Sequence, residues 1–327
     1  MEHPPKYSII IPVYNRSQEV DELLESLTKQ TFQDFEVLII EDGSTEKCDM
    51  VLEQYGTELS IQYFFKQNSG QGFSRNYGFE RAKGTWFLVF DSDCLIPENY
   101  LQIVDDHLRV NELDAFGGPD KAAESFTPVQ KAISYSMTSF LTTGGIRGGK
   151  TKVGSFHPRS FNMGIKREVF EKTGGYKITR KGEDIEFSIR IGENGFRVGL
   201  IAEAFVYHKR RTNFIQFFKQ LHFFGTARIN IGRYYPKEIK LVHLFPVFFF
   251  IGFLLSLFGT LFGLYPALIG LRIFLLYFMA IWISATGKTE NFLVGMLSVV
   301  AAFIQLMSYG VGFIEEFTTR KNENTIQ

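Results

Sequence analysis

Residues 86–93 read Trp-Phe-Leu-Val-Phe-Asp-Ser-Asp, five apolar residues followed by two carboxylates that flank a serine. An uninterrupted apolar run of this length is typical of a strand buried on both faces, as in a parallel sheet. Ligands of such sheets bind at the carboxyl ends of the strands. Paired carboxylates there suit a divalent cation that itself holds phosphate oxygens. An ordinary turn is the alternative, since Asp and Ser are common turn residues.

Strand and helix patterns alternate around this stretch. Short apolar runs occupy residues 8–13, 35–40 and 61–65. Between residues 20 and 27 the apolar positions recur at i, i+3, i+4 and i+7, the spacing of an amphipathic helix. Repeated β-α units of this kind predict an α/β fold with a mostly parallel sheet and helices on its faces.

Composition and charge exclude several classes of protein. The 327 residues carry a formal net charge of zero, which gives no global attraction for nucleic acid, so we expect no such partner. Cys48 and Cys94, the only cysteines, are too few for a disulfide framework or a four-cysteine zinc site. The first seven residues contain no apolar signal segment, so we expect the N-terminal part to remain cytosolic.

The last third of the chain has the composition of a membrane protein. Residues 241–264 contain no Asp, Glu, Lys or Arg, and a helix of that length covers a hydrocarbon core of roughly 30 Å. Residues 266–284, which include Arg272, and 292–313 are further candidates. We predict integral attachment through 241–316. The number of crossings stays open, because three would bury Arg272 in lipid, and one segment could be a hairpin or lie at the interface.

The segment 211–240 precedes these apolar runs and predicts an amphipathic helix. Its apolar positions share one face (Phe214, Phe217, Phe218, Leu221 and Phe224). Residues 205–240 contain eight Lys or Arg and one acid, Glu238. This pattern favours a helix in the plane of the lipid headgroups, with a core helix as the alternative. A glycine-rich segment at 142–152 predicts either a mobile lid or a surface loop.

Four motifs follow the predicted strands of the first half: Pro-Val-Tyr-Asn at 12–15, Glu-Asp-Gly-Ser at 41–44, Gly-Gln-Gly-Phe-Ser-Arg-Asn at 70–76 and Asp-Ser-Asp at 91–93. In this order and spacing they resemble the nucleotide-sugar half of inverting family-2 glycosyltransferases with the GT-A fold. The resemblance covers roughly the first 95 residues. It implies a Rossmann-like mixed sheet, a nucleotide-diphosphate sugar donor, with UDP favoured, and Mg²⁺ or Mn²⁺.

The resemblance also implies roles for single residues. It places the donor against Pro12, Tyr14, Asn15, Asp42, Gln71, Arg75, Asp91 and Ser92. Asp42 would accept a hydrogen bond from an N–H of the base, and Arg75 would bind the diphosphate through two parallel hydrogen bonds. Asp93 would ligate the metal, with Asp91 on the ribose or beside the metal and His208 as a further ligand. Where the family commonly has two aspartates, this chain has Glu41 and Asp42.

Three later motifs resemble the acceptor half of the same family: Ser-Phe-Asn-Met-Gly-Ile at 160–165, Gly-Gly-Tyr at 174–176 and Gly-Glu-Asp-Ile-Glu-Phe at 182–187. They imply that Asp184 is the catalytic base, and that Asn162, Met163 and Glu183 contact the acceptor. Inverting transfer needs one carboxylate that deprotonates the attacking hydroxyl. Helix capping is the alternative role for the acids at 183 and 184, and Glu186 is a rival for the base.

These observations predict a membrane-anchored inverting glycosyltransferase with a cytosolic catalytic domain. Its domains would be 1–210 (donor half 1–95, acceptor half 96–210), the interfacial segment 211–240, the transmembrane region 241–316 and a polar tail 317–327. The acceptor would be a hydroxyl of a saccharide or a lipid-linked glycan in surface polysaccharide biosynthesis. A polyprenyl-phosphate glycosyltransferase and a non-catalytic nucleotide-sugar-binding membrane protein are the alternatives.

Overall fold

The computed structural model describes residues 3–144 and 156–319. These residues form two compact units, one made of 3–121 and 156–209 and the other of 122–144 and 210–319. Most of the predicted lid or loop at 142–152, and residues 320–327 of the predicted polar tail, lie outside the described residues.

The first unit is built on a mixed sheet of seven strands, in the order β3-β2-β1-β4-β8-β6-β9, with a second sheet in the order β5-β10-β7. Strands β1 to β4 are parallel to their neighbours, whereas β8 is antiparallel to both β4 and β6. The predicted α/β organisation is confirmed. The strands are β1 (Tyr7–Val13), β2 (Phe35–Asp42), β3 (Ile61–Lys66), β4 (Trp86–Phe90), β5 (Cys94–Leu95), β6 (Ala115–Gly117), β7 (Asp120–Lys121), β8 (Asn162–Lys166), β9 (Val198–Leu200) and β10 (Val206–His208).

Twelve α-helices occur among the described residues. They are α1 (Ser17–Thr28), α2 (Asp49–Leu52), α3 (Gln71–Phe79), α4 (Tyr100–Val110), α5 (Pro128–Thr138), α6 (Phe140–Thr143), α7 (Arg167–Thr173), α8 (Glu183–Glu193), α9 (Phe214–Tyr234), α10 (Phe245–Leu261), α11 (Tyr265–Thr289) and α12 (Phe292–Thr318).

Apolar residues on both faces of the large sheet explain its place between two helical layers. Successive side chains of a strand point to opposite faces. Ile9 and Ile11 therefore pack with α1 and α4, while Ile10 packs with α3, α7 and α8. The strand β4 is buried along its whole length, as its uninterrupted apolar run predicts.

The sheet brings the predicted motifs to one edge of the first unit. Because β1, β2 and β4 are parallel, the residues that follow them emerge at the same edge. The antiparallel β8 begins at that edge, where Asn162 pairs with Phe90 at the end of β4. The donor and acceptor motifs are thus neighbours in space.

The second unit is helical. Three of its helical segments are long and apolar enough to cross a membrane: Leu241–Leu261, Tyr265–Thr289 and Phe292–Thr318. The C-terminal apolar helices predicted from composition are therefore confirmed. Residues 122–144, which the sequence analysis assigns to the acceptor half of the catalytic domain, belong to this unit instead, because α5 packs on α12.

Helix α9 packs closely along α12. A Cβ atom added at Gly312 would lie 2.2 Å from the carbonyl oxygen of His222, and one at Gly225 would lie 2.3 Å from that of Tyr309. Of the predicted apolar face of α9, Phe217 is buried against α5 and α12, whereas Phe218 is 42% exposed. Part of that face is therefore covered by protein. A location in the headgroup plane stays a prediction.

This close contact predicts that Gly312→Ala destabilises the helical unit. The added methyl group meets backbone rather than a side chain that can move, and such overpacking costs about 1–3 kcal/mol. The measurement is thermal unfolding of the full chain in one detergent. Gly287→Ala is the control, because no atom beyond the neighbouring turns of its own helix lies within 4 Å of a Cβ added there. Equal stability of the two variants would contradict the prediction.

Candidate active site

Asp42, at the end of β2, holds the loop that leads into α3. One of its carboxylate oxygens accepts from Lys66 Nζ and, at 2.9 Å, from the amide of Ser69. The other accepts from the amide of Gly70 at 2.9 Å. Burial alone would raise the pKa of Asp42, but the hydrogen bonds from Lys66 and Ser69 hold it below its ordinary value. The carboxylate is thus a fixed, ionised acceptor, and its contact with a base stays a prediction.

Asn15, which follows β1, connects two loops through its side chain. It has the left-handed φ of 51°, and its side-chain oxygen accepts from the amides of Thr45 and Glu46 at 2.8 and 3.1 Å. The residue therefore joins the loops after β1 and β2. Its neighbour Tyr14 is 53% exposed, which leaves its ring able to cover a flat ligand. Pro12 is half-buried within β1.

Arg75 differs from its predicted role on the diphosphate. Its side chain is fully buried, with Nη2 2.7 Å from Asp91 Oδ1 and Nη1 3.5 Å from Glu183 Oε1. The guanidinium lies over the ring of Tyr176 at 5.4 Å. A guanidinium without exposed surface has no N–H group available to a ligand. Arg75 instead joins the strand end that carries Asp91 to the helix that begins at Glu183.

Asp93 and His208, predicted as metal ligands, lie together. The short strands β5 and β10 pair so that His208 is opposite Cys94, which places His208 Nε2 3.1 Å from Asp93 Oδ1. The other oxygen of Asp93 is 3.3 Å from Arg16 Nη1. Ligand atoms of Asp93, Cys94 and His208 lie within 4.8 Å of one another. Carboxylate and imidazole donors at such spacing fit a divalent cation such as Mn²⁺.

Asp91 and Ser92 have different surroundings from Asp93. Asp91 is the more exposed of the two aspartates, with 32% of its side chain accessible against 11% for Asp93, and one of its oxygens contacts Arg75. Ser92 is buried. Cys94 is fully buried, and its thiol donates to the carbonyl oxygen of Phe161 at 3.5 Å.

Asp184, the predicted base, lies in the first turn of α8. Gly182 caps this helix with a φ of 97°, a left-handed value that glycine adopts readily. One carboxylate oxygen of Asp184 accepts from the amide of Ile185 at 2.8 Å, and the other is 2.7 Å from Arg159 Nε. Asp184 thus acts in part as a helix cap, the alternative role. Its second oxygen, however, contacts Arg159 rather than a helix amide.

Glu186 does not resemble a catalytic base. Both of its oxygens bind Arg190 at 2.8 Å, and its side chain is 1% exposed. This bidentate pair lies in the interior, where an acceptor hydroxyl has no access. The geometry favours Asp184 over its rival.

Asn162 and Met163, which the sequence predicts to contact the acceptor, are both buried. Asn162 has no exposed surface; its side chain accepts from Tyr100 and donates to the carbonyl oxygen of Ala204 at 2.8 Å. Met163 is 1% exposed, and Tyr176 donates to its sulfur at 3.6 Å. Both residues lie in β8 between two neighbouring strands, so they stabilise the sheet rather than contact a ligand.

Glu183 is buried beside the base. Its Oε1 accepts from Gln71, and Arg75 lies nearby. Burial and the charge of Asp184 raise the pKa of Glu183, while Arg75 and Gln71 oppose the rise. Glu183 therefore joins the donor and acceptor motifs.

The sequence analysis missed several contacts of the site. Arg16, Lys66 and Arg159 bind the carboxylates of Asp93, Asp42 and Asp184. Asn76 bonds both the amide and the carbonyl oxygen of Tyr176 at 2.8 Å, which joins α3 to the acceptor motif. Arg16 and Asn76 lie beside or within recognised motifs, but all four partners are 24 to 100 residues away, so spacing carries no signal.

Known proteins resemble this chain in sequence. The model of glycosyl transferase family 2 matches residues 8–174, about half of the chain. An uncharacterized glycosyltransferase of Haemophilus influenzae is 34% identical over 218 residues, which are 63% of this chain and 70% of that protein. The chain belongs to glycosyl transferase family 2.

Other relatives and solved structures of transferases show the same fold. The poly(ribitol-phosphate) beta-N-acetylglucosaminyltransferase TarS of Staphylococcus aureus is 36% identical over 151 residues, 41% of this chain and 26% of TarS. The structure of TarS 1-349 with UDP-GlcNAc has a TM-score of 0.50 at 21% identity, covering 69% of this chain and 67% of that one. The mannosyltransferase PcManGT from Pyrobaculum calidifontis, with GDP-Man and Mn²⁺, has a TM-score of 0.63 at 13% identity, covering 98% and 89%. The family-2 chain thus has the predicted GT-A fold.

The surroundings of Glu183 predict that Glu183→Gln stabilises the first unit at neutral and alkaline pH. A carboxyl whose pKa is raised on folding opposes folding once it ionises, and this penalty vanishes below the ordinary value of 4.5, where both states are protonated. Glutamine keeps an oxygen for Gln71. The measurement is denaturant unfolding at pH 8 and pH 4, followed by Trp86 fluorescence in a Trp282→Phe background.

The control for this prediction is Glu193→Gln, at an exposed position of the same helix. We expect the gain in unfolding free energy to appear at pH 8 only with Glu183→Gln. A loss of stability at pH 8 would show that the charge of Glu183 stabilises the fold.

Proposed function

We propose that this family-2 protein transfers a sugar from a nucleotide-diphosphate sugar to a hydroxyl acceptor, with inversion at the anomeric carbon. The observation that carries the proposal is the placement of Asp184 in the first turn of α8, with one carboxylate oxygen directed away from the helix amides. Asp93 and His208 support a metal-held donor at the same edge of the sheet.

UDP is the favoured nucleotide. The exposed ring of Tyr14 would cover the base, and Asp42, held ionised by Lys66 and two amides, would accept from a base N–H. The sequence likeness to TarS, which has been crystallised with UDP-GlcNAc, supports this choice. Gln71 and Ser92 complete the proposed donor site, and Arg75 positions Asp91 rather than the diphosphate itself.

Asp93 and His208 would hold Mg²⁺ or Mn²⁺, with Asp91 on the ribose or beside the metal. Bound there, the cation would neutralise the charge that develops on the diphosphate leaving group. The carboxylate–imidazole pair of this chain and the Mn²⁺ in the complex of PcManGT support this assignment.

Asp184 would act as the general base. The acceptor oxygen forms a bond to the anomeric carbon while its proton passes to the Oδ2 side of the Asp184 carboxylate, which Arg159 also contacts. The bond between the anomeric carbon and the diphosphate oxygen breaks, and its electron pair leaves with the nucleoside diphosphate. One base and one stabilised leaving group suffice for inversion.

The acceptor is proposed to be a saccharide or a lipid-linked glycan of a surface polysaccharide, with the catalytic unit on the cytosolic side. Three apolar helices in the same chain support attachment to the bilayer. The name of TarS specifies a phosphate-containing polymer as its acceptor, which supports a surface polymer in this family.

The proposal predicts that Asp184→Asn lowers sugar transfer about 10²- to 10⁴-fold, the usual contribution of a general base. Donor KM should stay unchanged, since Asp184 contacts the acceptor. The assay is nucleoside-diphosphate release from UDP- and GDP-sugars by the full chain in lipid-containing detergent with Mn²⁺. Glu193→Gln is the control.

Two outcomes would favour the alternatives. If transfer to polyprenyl phosphate survives in Asp184→Asn, the polyprenyl-phosphate alternative is favoured. If the protein binds the donor but releases no nucleoside diphosphate, a non-catalytic protein is favoured.

Removal of divalent cations tests the metal assignment separately. EDTA should abolish nucleoside-diphosphate release, and Mn²⁺ should restore it. Asp93→Asn should require at least about tenfold more Mn²⁺ for half-maximal rate, because a ligand charge is lost. Cys94→Ala should respond to Mn²⁺ as the parent protein does, since its thiol is directed to Phe161. A metal-independent rate in the parent protein would overturn the assignment.

A further inference from the structure

The base of the proposed reaction has an arginine beside it that no motif predicts. Arg159 precedes β8, and its Nε lies 2.7 Å from Asp184 Oδ2. The two side chains differ in exposure: 31% for Arg159 and 10% for Asp184. The Nε edge of the guanidinium therefore faces the carboxylate, and the side chain as a whole is partly exposed.

The contact determines where an acceptor can reach Asp184. The Oδ1 atom already accepts from the amide of Ile185 at 2.8 Å. A hydroxyl that gives its proton to Asp184 would therefore approach the side of Oδ2, which Arg159 also contacts. The atoms next to the attacking hydroxyl would then lie against the guanidinium.

A neutral acceptor offers the N–H groups of Arg159 only hydroxyl oxygens, which bond a guanidinium more weakly than an anion does. Arginine carries five N–H donors, and a donor that loses water without gaining a partner costs free energy. A phosphate group matches the planar fork of a guanidinium with two parallel hydrogen bonds. An acceptor with a phosphate beside its hydroxyl would satisfy both the base and the arginine.

Two other arginines at this edge, Arg75 and Arg16, are placed differently. Among the described residues, Arg75 is fully buried between Asp91 and Glu183, and Arg16 contacts the carboxylate assigned to the metal. Arg159 alone of these three contacts the base and is partly exposed. Its position suits the acceptor rather than the donor.

We propose that Arg159 selects acceptors that carry a phosphate next to the attacking hydroxyl, either a polyol phosphate or a sugar on a lipid diphosphate. This inference rests on the proposed function. In it Arg159 is a specificity-determining residue that binds the acceptor phosphate, and Asp184 remains the base.

The test compares acceptors that differ only in a phosphate. Glycerol 3-phosphate is paired with glycerol, and a polyprenyl-diphosphate-linked sugar with the same sugar on a neutral alkyl chain. For Arg159→Met we expect kcat/KM with the phosphate-bearing member of a pair to fall about ten- to a hundredfold, the worth of hydrogen bonds to a charged group. The rate with the neutral member should fall less, because only the contact with Asp184 is lost there, and the donor KM should change little. The pair that responds identifies the source of the phosphate.

Two further variants separate specificity from structure. Arg159→Lys keeps the charge without the fork and should recover part of the lost rate. Arg197→Met removes an exposed arginine whose partner is Glu112, at 2.6 Å, and should match the parent protein. Equal losses with both members of a pair would show that Arg159 only holds Asp184 in place. A raised donor KM would assign it to the donor. Either result overturns the proposal.

Equilibrium binding distinguishes failure of this inference from failure of the proposed function. The affinity for glycerol 3-phosphate and for the lipid diphosphate is measured on the full chain without turnover. Weaker binding to Arg159→Met, in a protein that transfers no sugar, would uphold the phosphate site and reject the transfer reaction. Unchanged binding of both probes, in a protein that does transfer sugar, would reject the phosphate site alone.

Discussion

The pairing of the buried Arg75 is the interaction on which the site depends. A guanidinium removed from water must be paired, since an uncompensated buried charge costs several kcal/mol. Asp91, which follows β4, supplies that ion pair at 2.7 Å, and Glu183, which begins α8, lies 3.5 Å from the same guanidinium. One residue comes from the donor motifs and the other from the acceptor motifs. Their positions are therefore linked by the same cation, with Tyr176 beneath it.

Other carboxylates of the site also hold cations. Asp42 binds Lys66, Asp93 contacts Arg16 and His208, and Asp184 contacts Arg159. A group of acids at one sheet edge would otherwise repel one another, and each cation reduces that repulsion. The cations differ in exposure, which divides them into two kinds. Arg75 is inaccessible and positions its neighbours, whereas the partly exposed Arg16 and Arg159 can exchange partners with a charged ligand.

The helical unit depends on close backbone contact rather than on charge. Gly225 and Gly312 let α9 and α12 approach until backbone atoms touch, as small residues do between membrane helices. This explains why the apolar face of α9 is partly covered by α5 and α12. Amphipathic periodicity identifies such a face, but the surface that covers it depends on a helix about 80 residues away in the chain.

The sequence by itself determined the first four strands, the helix after the first of them, the apolar C-terminal segments and the order of the motifs. The buried run at 86–90 and the spacing between residues 20 and 27 are local patterns, and the α/β fold and the apolar C-terminal helices follow from them. It also identified Asp93 and His208, which the structure brings together. Only the tertiary structure decided which of the predicted site residues are buried and which charged groups pair. Asn162 and Met163 turn into the sheet, Arg75 is buried, and Arg159 reaches Asp184. The physical reason is that burial and ion pairing depend on the chain segments packed around a residue. The position of the residue along the chain does not show which segments these are.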